Sequence, residues 1–328
     1  MNGKPLLAAL IIFTLAAMID LNAQPVGSAS KQTTGREVAV TFDDLPVISV
    51  TLISADERRE ITTRLLRSIT AGKVPAVGFV NENKLLDDGA RDERRVALLQ
   101  MWIDSGLELG NHSFSHPDLH TTPLEKFRED VVRGEEVTRM LLQKKGKNLR
   151  YFRHPFLHTG RSLETKRAFE EFLSGRGYTV APVTVDNSEW IFAAAYAKAA
   201  ARGDKEMVKR IGAAYVPYME QKFAYYEQQS TALFGREIKQ VLLLHANAIN
   251  ADYFDDLARM MQKRGYKFIT LDAALTDAAY KSNDTFTGPG GISWIHRWAL
   301  TRGLKGDFFR GEPETPEFVM KEAGIASE

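Results

Sequence analysis

The chain of 328 residues contains no cysteine, no excess of charge of either sign, and few long hydrophobic runs. The absence of cysteine excludes attachment as a lipoprotein and means that an exported protein would gain no disulfide. Lysine and arginine number 43 against 42 aspartate and glutamate, giving a net charge of +1. This balance offers no electrostatic reason to expect nucleic acid or an anionic membrane as partner, and neutral substrates fit better.

The longest hydrophobic run lies at the N-terminus. Lys4 precedes an apolar stretch from Leu6 to Ile19, and small residues follow up to Ala23. This pattern predicts a signal peptide over residues 1–23, cleaved near Ala23, and a polar linker over 24–36. A retained membrane anchor is the alternative, but the run is shorter than the roughly 20 residues needed to span a bilayer. We therefore expect a secreted or periplasmic protein without stable membrane insertion.

Beyond the linker, short β-branched runs alternate with amphipathic segments. The predicted elements are strands at 37–42, 75–80, 107–109, 149–152, 178–185 and from 240, and helices at 56–69, 91–104, 124–143 and 162–173. Strands that alternate with helices predict a parallel sheet, and this number of units predicts an α/β barrel or a large open sheet. Hydrophobic residues make up 44% of the chain, enough for one large domain.

Two segments depart from this alternation. Residues 192–235 are rich in alanine, tyrosine and lysine and lack strand patterns, which predicts two helices inserted before the last core strand. Residues 276–328 begin rich in glycine and threonine and end in a charged tail. We therefore assign residues 37–275 to the catalytic domain, with the helical insertion inside it, and residues 276–328 to a C-terminal extension.

Titratable residues follow five of the predicted strands. The carboxyl ends of parallel strands carry the active residues of barrel enzymes, so these side chains are expected at one rim. They are Asp43, Asp44, His112, His116, Arg153, Asp186, Glu189 and His245. Two adjacent aspartates are costly unless a cation separates their roles. One of the two, together with His112 and His116, would complete a site of two histidines and one carboxylate, typical of catalytic zinc and similar ions.

Five short motifs give the chain a specific resemblance. They are TFDD at 41–44, HSFSH at 112–116, RHPF at 153–156, DNSEW at 186–190 and LLLH at 242–245. In this order, each at a strand end, they resemble the NodB-type polysaccharide deacetylases, a family of carbohydrate esterases. The resemblance covers residues 37–275 and implies a distorted (β/α) barrel.

The resemblance implies a metal-dependent hydrolysis. Asp44, His112 and His116 are implied to bind one divalent ion, most often zinc, with cobalt, nickel or manganese as alternatives. Asp43 is implied to be the general base that takes a proton from the attacking water. The expected substrate is an N- or O-acetyl group on a glycan such as peptidoglycan, chitin or xylan.

The same resemblance assigns roles to the remaining motif residues. Arg153 is implied to hold Asp43, and Asp186 to orient His245, which would protonate the leaving nitrogen or oxygen. A backbone N–H beside Phe156 is implied to bind the oxyanion. An aspartate that begins a helix would also explain Asp186 as an N-cap, so this assignment has a structural alternative.

Trp190 and Leu243 are implied to form the wall of the acetyl pocket. Three residues depart from the family pattern, with Phe156 where tyrosine is common, Glu189 where a second aspartate is common, and Leu45 in place of a glycine. These changes leave the metal ligands intact and concern contacts with the sugar. Two further substrates or roles therefore stay open, a small acetylated or formylated compound and a non-catalytic carbohydrate-binding protein with a structural metal. A metal-free amidohydrolase of the same fold class is disfavoured by the three intact ligands.

Overall fold

The structure of the protein is a computed structural model that describes residues 1, 3 and 35–327. The predicted signal peptide and all but the end of the predicted linker lie outside the described residues. From Gly35 onward the chain forms one compact unit, which includes the C-terminal extension. Within the described residues, no helix combines the length and apolar character needed to cross a membrane.

Strands in the described residues form one parallel sheet and one short antiparallel hairpin. In chain order the strands are β1 (Arg36–Leu45), β2 (Val77–Val80), β3 (Leu86–Asp87), β4 (Ala90–Arg91), β5 (Glu108–Asn111), β6 (Tyr151–Phe152), β7 (Thr179–Val180), β8 (Gln240–His245) and β9 (Tyr266–Phe268). The large sheet has the order β7-β6-β5-β2-β1-β8, with β9 also paired to β1, and β3 and β4 form the hairpin. A parallel bridge between Val185 and Leu242 joins the chain after β7 to β8.

Helices follow most of the strands. In chain order they are α1 (Ala55–Ala71), α2 (Glu93–Asp104), α3 (Leu124–Arg133), α4 (Glu136–Gln143), α5 (Leu163–Gly175), α6 (Glu189–Ala201), α7 (Lys205–Phe234), α8 (Ala248–Lys263), α9 (Leu271–Leu275), α10 (Trp294–Thr301) and α11 (Glu317–Ala323). The curled parallel sheet, joined through the Val185 bridge and surrounded by helices, confirms the predicted distorted (β/α) barrel. Helices α6 and α7 are the two predicted inserted helices.

The central strand β1 carries the aspartate pair to the rim of the sheet. Its residues from Val38 to Leu45 are all buried, as expected for a parallel strand with helices on both sides. Leu45 occupies space left by the absent side chain of Gly78 on β2, where a Cβ would lie only 2.4 Å from a Leu45 methyl. The leucine that departs from the family pattern is therefore accommodated by a glycine on the neighbouring strand.

Two sequence-based element predictions were wrong in detail. The helix predicted at 124–143 is two helices, because the chain bends at Gly134. A Cβ on Gly134 would lie 2.6 Å from the carbonyl carbon of Ser113, so the bend brings the helices against the loop that contains the two histidines. The strand predicted at 178–185 is reduced to Thr179–Val180 and the bridge at Val185, because Pro182 between them has no N–H to donate.

The close approach of Gly134 to this loop gives the first prediction. Gly134→Ala is expected to lower the free energy of unfolding by about 1–3 kcal/mol, because the added methyl group collides with the Ser113 and Phe114 backbone. Gly175→Ala in α5 is the matched control, since its Cβ meets no atom within 4 Å. Alanine there should stabilise slightly through its helix propensity. Chemical denaturation of both variants measures the difference, and equal stability would contradict the proposed contact.

The C-terminal extension packs against the loop that follows β6. Arg297 on α10 is fully buried and forms an ion pair with Asp284 at 2.8 Å. Its guanidinium also donates to the carbonyl of Leu157 at 3.2 Å and to Thr159 Oγ1 at 2.5 Å. The extension thus supports the segment that contains Phe156.

Candidate active site

The aspartate pair lies at the carboxyl end of β1, beside His245 on β8. Asp43 is in register with His245 across the two parallel strands. Asp43 is almost fully buried, and its Oδ1 atom has no hydrogen-bond partner within the part of the chain that the structure describes. Asp44 has a backbone φ of 67°, a left-handed conformation that turns the chain sharply after Asp43. The two adjacent carboxylates can therefore serve different purposes.

Three of the predicted ligands lie close together. One ligand atom from each of Asp44, His112 and His116 falls within 4.8 Å of the others. The Nδ1 atom of His112 is 2.8 Å from the Arg153 carbonyl and donates to it when the ring is neutral, which leaves Nε2 as the free acceptor. The structure therefore brings together the two histidines and one carboxylate that the sequence indicated.

The protonation of these groups suits a cation. Burial lowers the pKa of His112 and of His116, so both rings are neutral and keep a lone pair for a ligand. Burial alone would raise the pKa of Asp44, but Lys84 and His245 outweigh it and hold the pKa below its usual range. Two neutral imidazoles and one ionised carboxylate form a donor set typical of zinc, so the residues present fit a divalent metal ion.

A lysine that the sequence analysis did not single out also reaches Asp44. Lys84 follows β2 in a 3₁₀ turn, and its Nζ atom is 2.8 Å from Asp44 Oδ1 and 3.3 Å from the Asp44 carbonyl. The Lys84 ammonium thus balances the negative charge of the Asp44 carboxylate. Nothing in the sequence pointed to Lys84, because the 3₁₀ turn lies outside all five motifs.

Hydrogen bonds from the loop backbone to Asp130 on α3 hold the loop that contains the two histidines. The carboxylate of Asp130 on α3 accepts hydrogen bonds from the backbone N–H groups of Phe114 and Ser115, both at 2.9 Å. Asn111 accepts from the Ser113 N–H at 2.6 Å. His116 has a positive φ of 58°, a conformation that such a network holds in place.

Arg153 contacts Asp43 from β6's carboxyl end. The Arg153 guanidinium is fully buried, and its Nη1 atom is 3.4 Å from Asp43 Oδ2. It also donates to the Ala181 carbonyl at 2.7 Å and to Thr41 Oγ1 at 2.8 Å. Burial raises the pKa of Asp43 to about 6, although Arg153 and His245 act against it. Asp43 is therefore ionised at neutral pH and close to the range in which a carboxylate works as a general base.

The partner of His245 differs from the one that the resemblance implied. His245 Nδ1 is 2.7 Å from Oε2 of Glu189, the first residue of α6 and fully buried. Asp186 lies three residues before Glu189, ahead of the helix, where it accepts from the Asn187 N–H at 2.9 Å and is near Lys222 and Arg153. Glu189, and not Asp186, therefore contacts the His245 ring, because the first residue of α6 lies where a glutamate side chain reaches β8.

This contact sets the charge of His245. Burial alone would lower the pKa of the imidazole, but the Glu189 carboxylate, together with Asp44 and Asp43, outweighs burial and raises the pKa to about 9. His245 is therefore protonated at neutral pH. Burial raises the pKa of Asp186 to about 6. Asp43, with a pKa near 6, and His245, with a pKa near 9, thus lie at one rim with pKa values that their surroundings have pushed apart.

The remaining motif residues line the same cavity. Phe156 has a φ of 56° and lies edge-on to His116, with ring centroids 4.4 Å apart. Trp190 on α6 is half-exposed, and Leu243 on β8 is buried. Phe156, Trp190 and Leu243 border one cavity together with Asp43, Asp44, His112, His116, Asp186 and His245.

A second cluster provides a control for the metal ligands. Asp118, His120 and His158 also bring three donor atoms within 4.8 Å. The His120 and His158 rings are stacked, with centroids 3.7 Å apart and planes 9° apart, so their lone pairs lie in nearly parallel planes, which disfavours binding of one ion by both rings. His158 already contacts Asp118 at 2.7 Å.

The metal ligands give the second prediction. His116→Ala is expected to lower zinc affinity by more than about a hundredfold, since loss of a ligand exceeds the 10–100-fold cost of losing a supporting contact. His158→Ala should leave affinity and stoichiometry unchanged. Titration of the apoprotein with zinc measures both. Loss of zinc binding in His158→Ala with retention in His116→Ala would place the metal at the cluster of Asp118, His120 and His158 and contradict the prediction.

Comparisons with known proteins agree with the motifs. The family model described as polysaccharide deacetylase matches residues 30–169. A peptidoglycan-N-acetylglucosamine deacetylase from Bacillus cereus is 25% identical over 154 residues, which cover 47% of this chain and 46% of that protein. The match therefore spans about half the length of this curated relative.

Solved structures were also found. A family 4 carbohydrate esterase from Streptomyces lividans in complex with acetate is 18% identical, with a TM-score of 0.44 over 74% of this chain and 96% of that one. A CE4 family pseudoenzyme from Bacillus anthracis is 16% identical, with a TM-score of 0.48 over 74% and 66% of the two chains. The likeness to this family rests on the matched model and the motifs. Residues 30–169 match a polysaccharide deacetylase domain.

Proposed function

We propose that this protein is a metal-dependent deacetylase that removes N- or O-acetyl groups from a glycan of the peptidoglycan, chitin or xylan type. The observation that supports it most is the convergence of Asp44, His112 and His116 beside Asp43, which is itself in register with His245. A structural metal in a binding protein would need the three ligands alone. An ionised Asp43 and a protonated His245 beside these ligands favour catalysis.

The mechanism follows from the protonation of the site. A metal ion held by Asp44, His112 and His116, most often zinc, would polarise the acetyl carbonyl and the attacking water. Asp43, ionised above about pH 6, accepts the proton of that water. His245, protonated below about pH 9, donates its proton to the leaving nitrogen or oxygen. The C–N or C–O bond breaks, and acetate and the free amine or alcohol leave.

Other residues position these two groups. Arg153 holds the Asp43 carboxylate, and Glu189 holds His245 through Nδ1, so that Nε2 is the proton-donating atom. A backbone N–H beside Phe156 is proposed to bind the oxyanion, and Trp190 and Leu243 to surround the acetyl methyl group. We assign no catalytic proton transfer to Asp186.

Acetate release tests the function. The full chain loaded with zinc, cobalt, nickel or manganese is incubated with N-acetylated chitooligosaccharides, peptidoglycan fragments and O-acetylated xylan, with and without a chelator. Chelator-sensitive release from one substrate, restored by adding metal, supports the proposal and identifies the substrate class. Metal binding without release from any of them would favour a small acetylated compound or a binding role.

We also propose that the protein acts in a periplasm or outside the cell, after cleavage near Ala23. The basic, apolar and small-residue pattern of residues 1–23 supports this. Mass spectrometry of the N-terminus of protein recovered from an exporting host tests it, and an intact Met1 in the processed fraction would contradict it.

A further inference from the structure

The active-site cavity is larger than an acetyl group requires. Its volume is about 830 Å³, and it continues from the aspartate pair along α6 toward α1 and α8. Ligand pockets of this size hold drug-sized molecules. The part beyond Trp190, bounded by α6 on one side and by residues 48–53 on the other, is here called the α6 groove.

Helix α6 presents small side chains to the groove. Trp190, Ala193, Ala197 and Ala200 border it at a spacing of three or four residues, with Ala194 and Ala201 beside them. One face of the helix thus lines the groove from Trp190 to Ala201, about 16 Å at 1.5 Å per residue. Alanine leaves a trough along this face where larger side chains would fill it.

The other boundary of the groove is the loop after β1, which is largely apolar. Ile48, Val50, Leu52 and Ile53 border the groove there, together with Ser49 and Thr51, whose hydroxyl oxygens are hydrogen-bonded to each other at 3.0 Å. Val50 is 58% exposed and Leu52 fully exposed. In the described part of the chain, four of the eight exposed large hydrophobic side chains border this cavity, the others being Phe156 and Trp190. Exposed apolar side chains concentrated at one cavity indicate a site for an apolar ligand.

Charged side chains on the α1 and α8 side of the cavity are already paired. Arg64 Nε is 3.0 Å from Asp252 Oδ1, and the same guanidinium also contacts Glu60. The Tyr196 hydroxyl donates to Asp252 at 2.7 Å. Glu57 accepts from the Ser54 N–H at 2.7 Å as part of the cap of α1. These bonds occupy the groups that would otherwise bind sugar hydroxyls.

We propose that the α6 groove binds an aliphatic acyl chain, so that the site hydrolyses N- or O-acyl groups longer than acetyl. This rests on the proposed hydrolytic function. The acyl side of the carbonyl is favoured because Trp190 and Leu243, proposed to surround the acetyl methyl, lie where the groove begins. Water adds to the carbonyl, the C–N or C–O bond breaks, and the leaving atom takes the proton of His245. The products are a fatty carboxylic acid and an amine or alcohol.

The test varies the acyl chain at a constant leaving group. Zinc-loaded full chain is assayed with nitrophenyl acetate, butyrate, hexanoate and octanoate below their micelle-forming concentrations. We expect kcat/KM to rise roughly two- to fourfold per methylene, because a buried methylene contributes up to ~0.8 kcal/mol. A flat or falling series with measurable acetyl hydrolysis overturns the inference and leaves the proposed function intact. Alkyl acetates form a second series, and a gain there alone would assign the groove to the leaving group.

A variant pair localises the effect. Ala197→Phe fills the trough and is expected to lower the ratio of octanoyl to acetyl kcat/KM about tenfold. Ala71→Phe adds the same side chain at an exposed position of α1 outside the cavity and should leave the ratio unchanged. Equal ratios in the two variants would contradict the placement in the groove.

Binding keeps the inference testable if no substrate is hydrolysed. Calorimetric titration of zinc-loaded full chain with acetate, hexanoate and decanoate measures affinity without turnover. Decanoate binding at least about tenfold tighter than acetate, and weakened in Ala197→Phe, supports the acyl groove. Equal affinity of all three carboxylates overturns it, whatever the enzymatic result.

Discussion

Replacement of Asp43 by asparagine is expected to lower kcat by about 10²–10⁴-fold while zinc remains bound, because it removes the proposed general base. The ligands Asp44, His112 and His116 are unchanged in this variant. Asparagine keeps the size of the side chain but cannot take a proton at neutral pH. Acetate release and zinc content, measured on the same preparation, separate loss of the base from loss of the metal.

The buried charge of Arg153 makes a stability control necessary. Asp43 lies 3.4 Å from the Arg153 guanidinium, so Asp43→Asn leaves that buried cation without its carboxylate and should lower Tm. Asp277→Asn breaks another pair of a buried aspartate with an arginine, Arg236 at 2.8 Å, remote from the motif residues in sequence. A fall in Tm with normal turnover is expected there, and it should be the smaller of the two because Arg236 is half-exposed. Full activity of zinc-loaded Asp43→Asn would exclude the base role and favour a structural metal.

The sequence predicted the parts of the site that depend on strand ends. Asp43 and Asp44 on β1, the histidines after β5 and His245 on β8 meet because parallel strands present their carboxyl ends at one rim. The alternation of strands and helices was sufficient for this. The inserted helices were predictable from their length and their lack of strand patterns.

Contacts between distant segments were not predictable in this way. Lys84 reaches Asp44 from a 3₁₀ turn, and the bend at Gly134 exists because the Ser113 backbone occupies the space of a side chain. Neither the Lys84 contact nor the bend at Gly134 is indicated by a periodic pattern in the sequence. The groove along α6 likewise depends on which face of an alanine-rich helix is left uncovered, and alanine periodicity alone does not show that.

The contact of His245 with Glu189, where Asp186 was expected, shows most clearly what a sequence motif cannot predict. Both carboxylates stand in the DNSEW motif, and the resemblance implied Asp186 alone as the partner of His245. The outcome depends on where α6 begins. Helix geometry directs the Glu189 side chain at His245 and Asn250, whose amide donates to Glu189 Oε1 at 2.8 Å. Asp186, ahead of the helix, is directed elsewhere.

Replacement of Glu189 by glutamine is therefore expected to have the second largest effect, a fall of about a hundredfold in kcat at pH 8. Against the effect of burial, Glu189 is the largest of the causes that raise the pKa of His245 to about 9, ahead of Asp44 and Asp43. Without the carboxylate the pKa falls by about 1–3 units, so the imidazole loses its proton at lower pH. Because His245 is the proposed acid, activity is expected below its pKa and should be lost as pH rises through it. The alkaline limb of the pH profile should move to lower pH by at least about one unit.

Matched variants distinguish this from general damage to the core. Glu82→Gln also removes a buried carboxylate, one that accepts from the Val137 and Thr138 N–H groups at 3.0 and 2.7 Å, and should leave the alkaline limb in place. Asp186→Asn should leave the alkaline limb unshifted, since the His245 ring is held by Glu189. If Asp186→Asn shifted the limb and Glu189→Gln did not, the orientation of His245 would depend on the aspartate, and the contact at the start of α6 would have no part in the proton transfer.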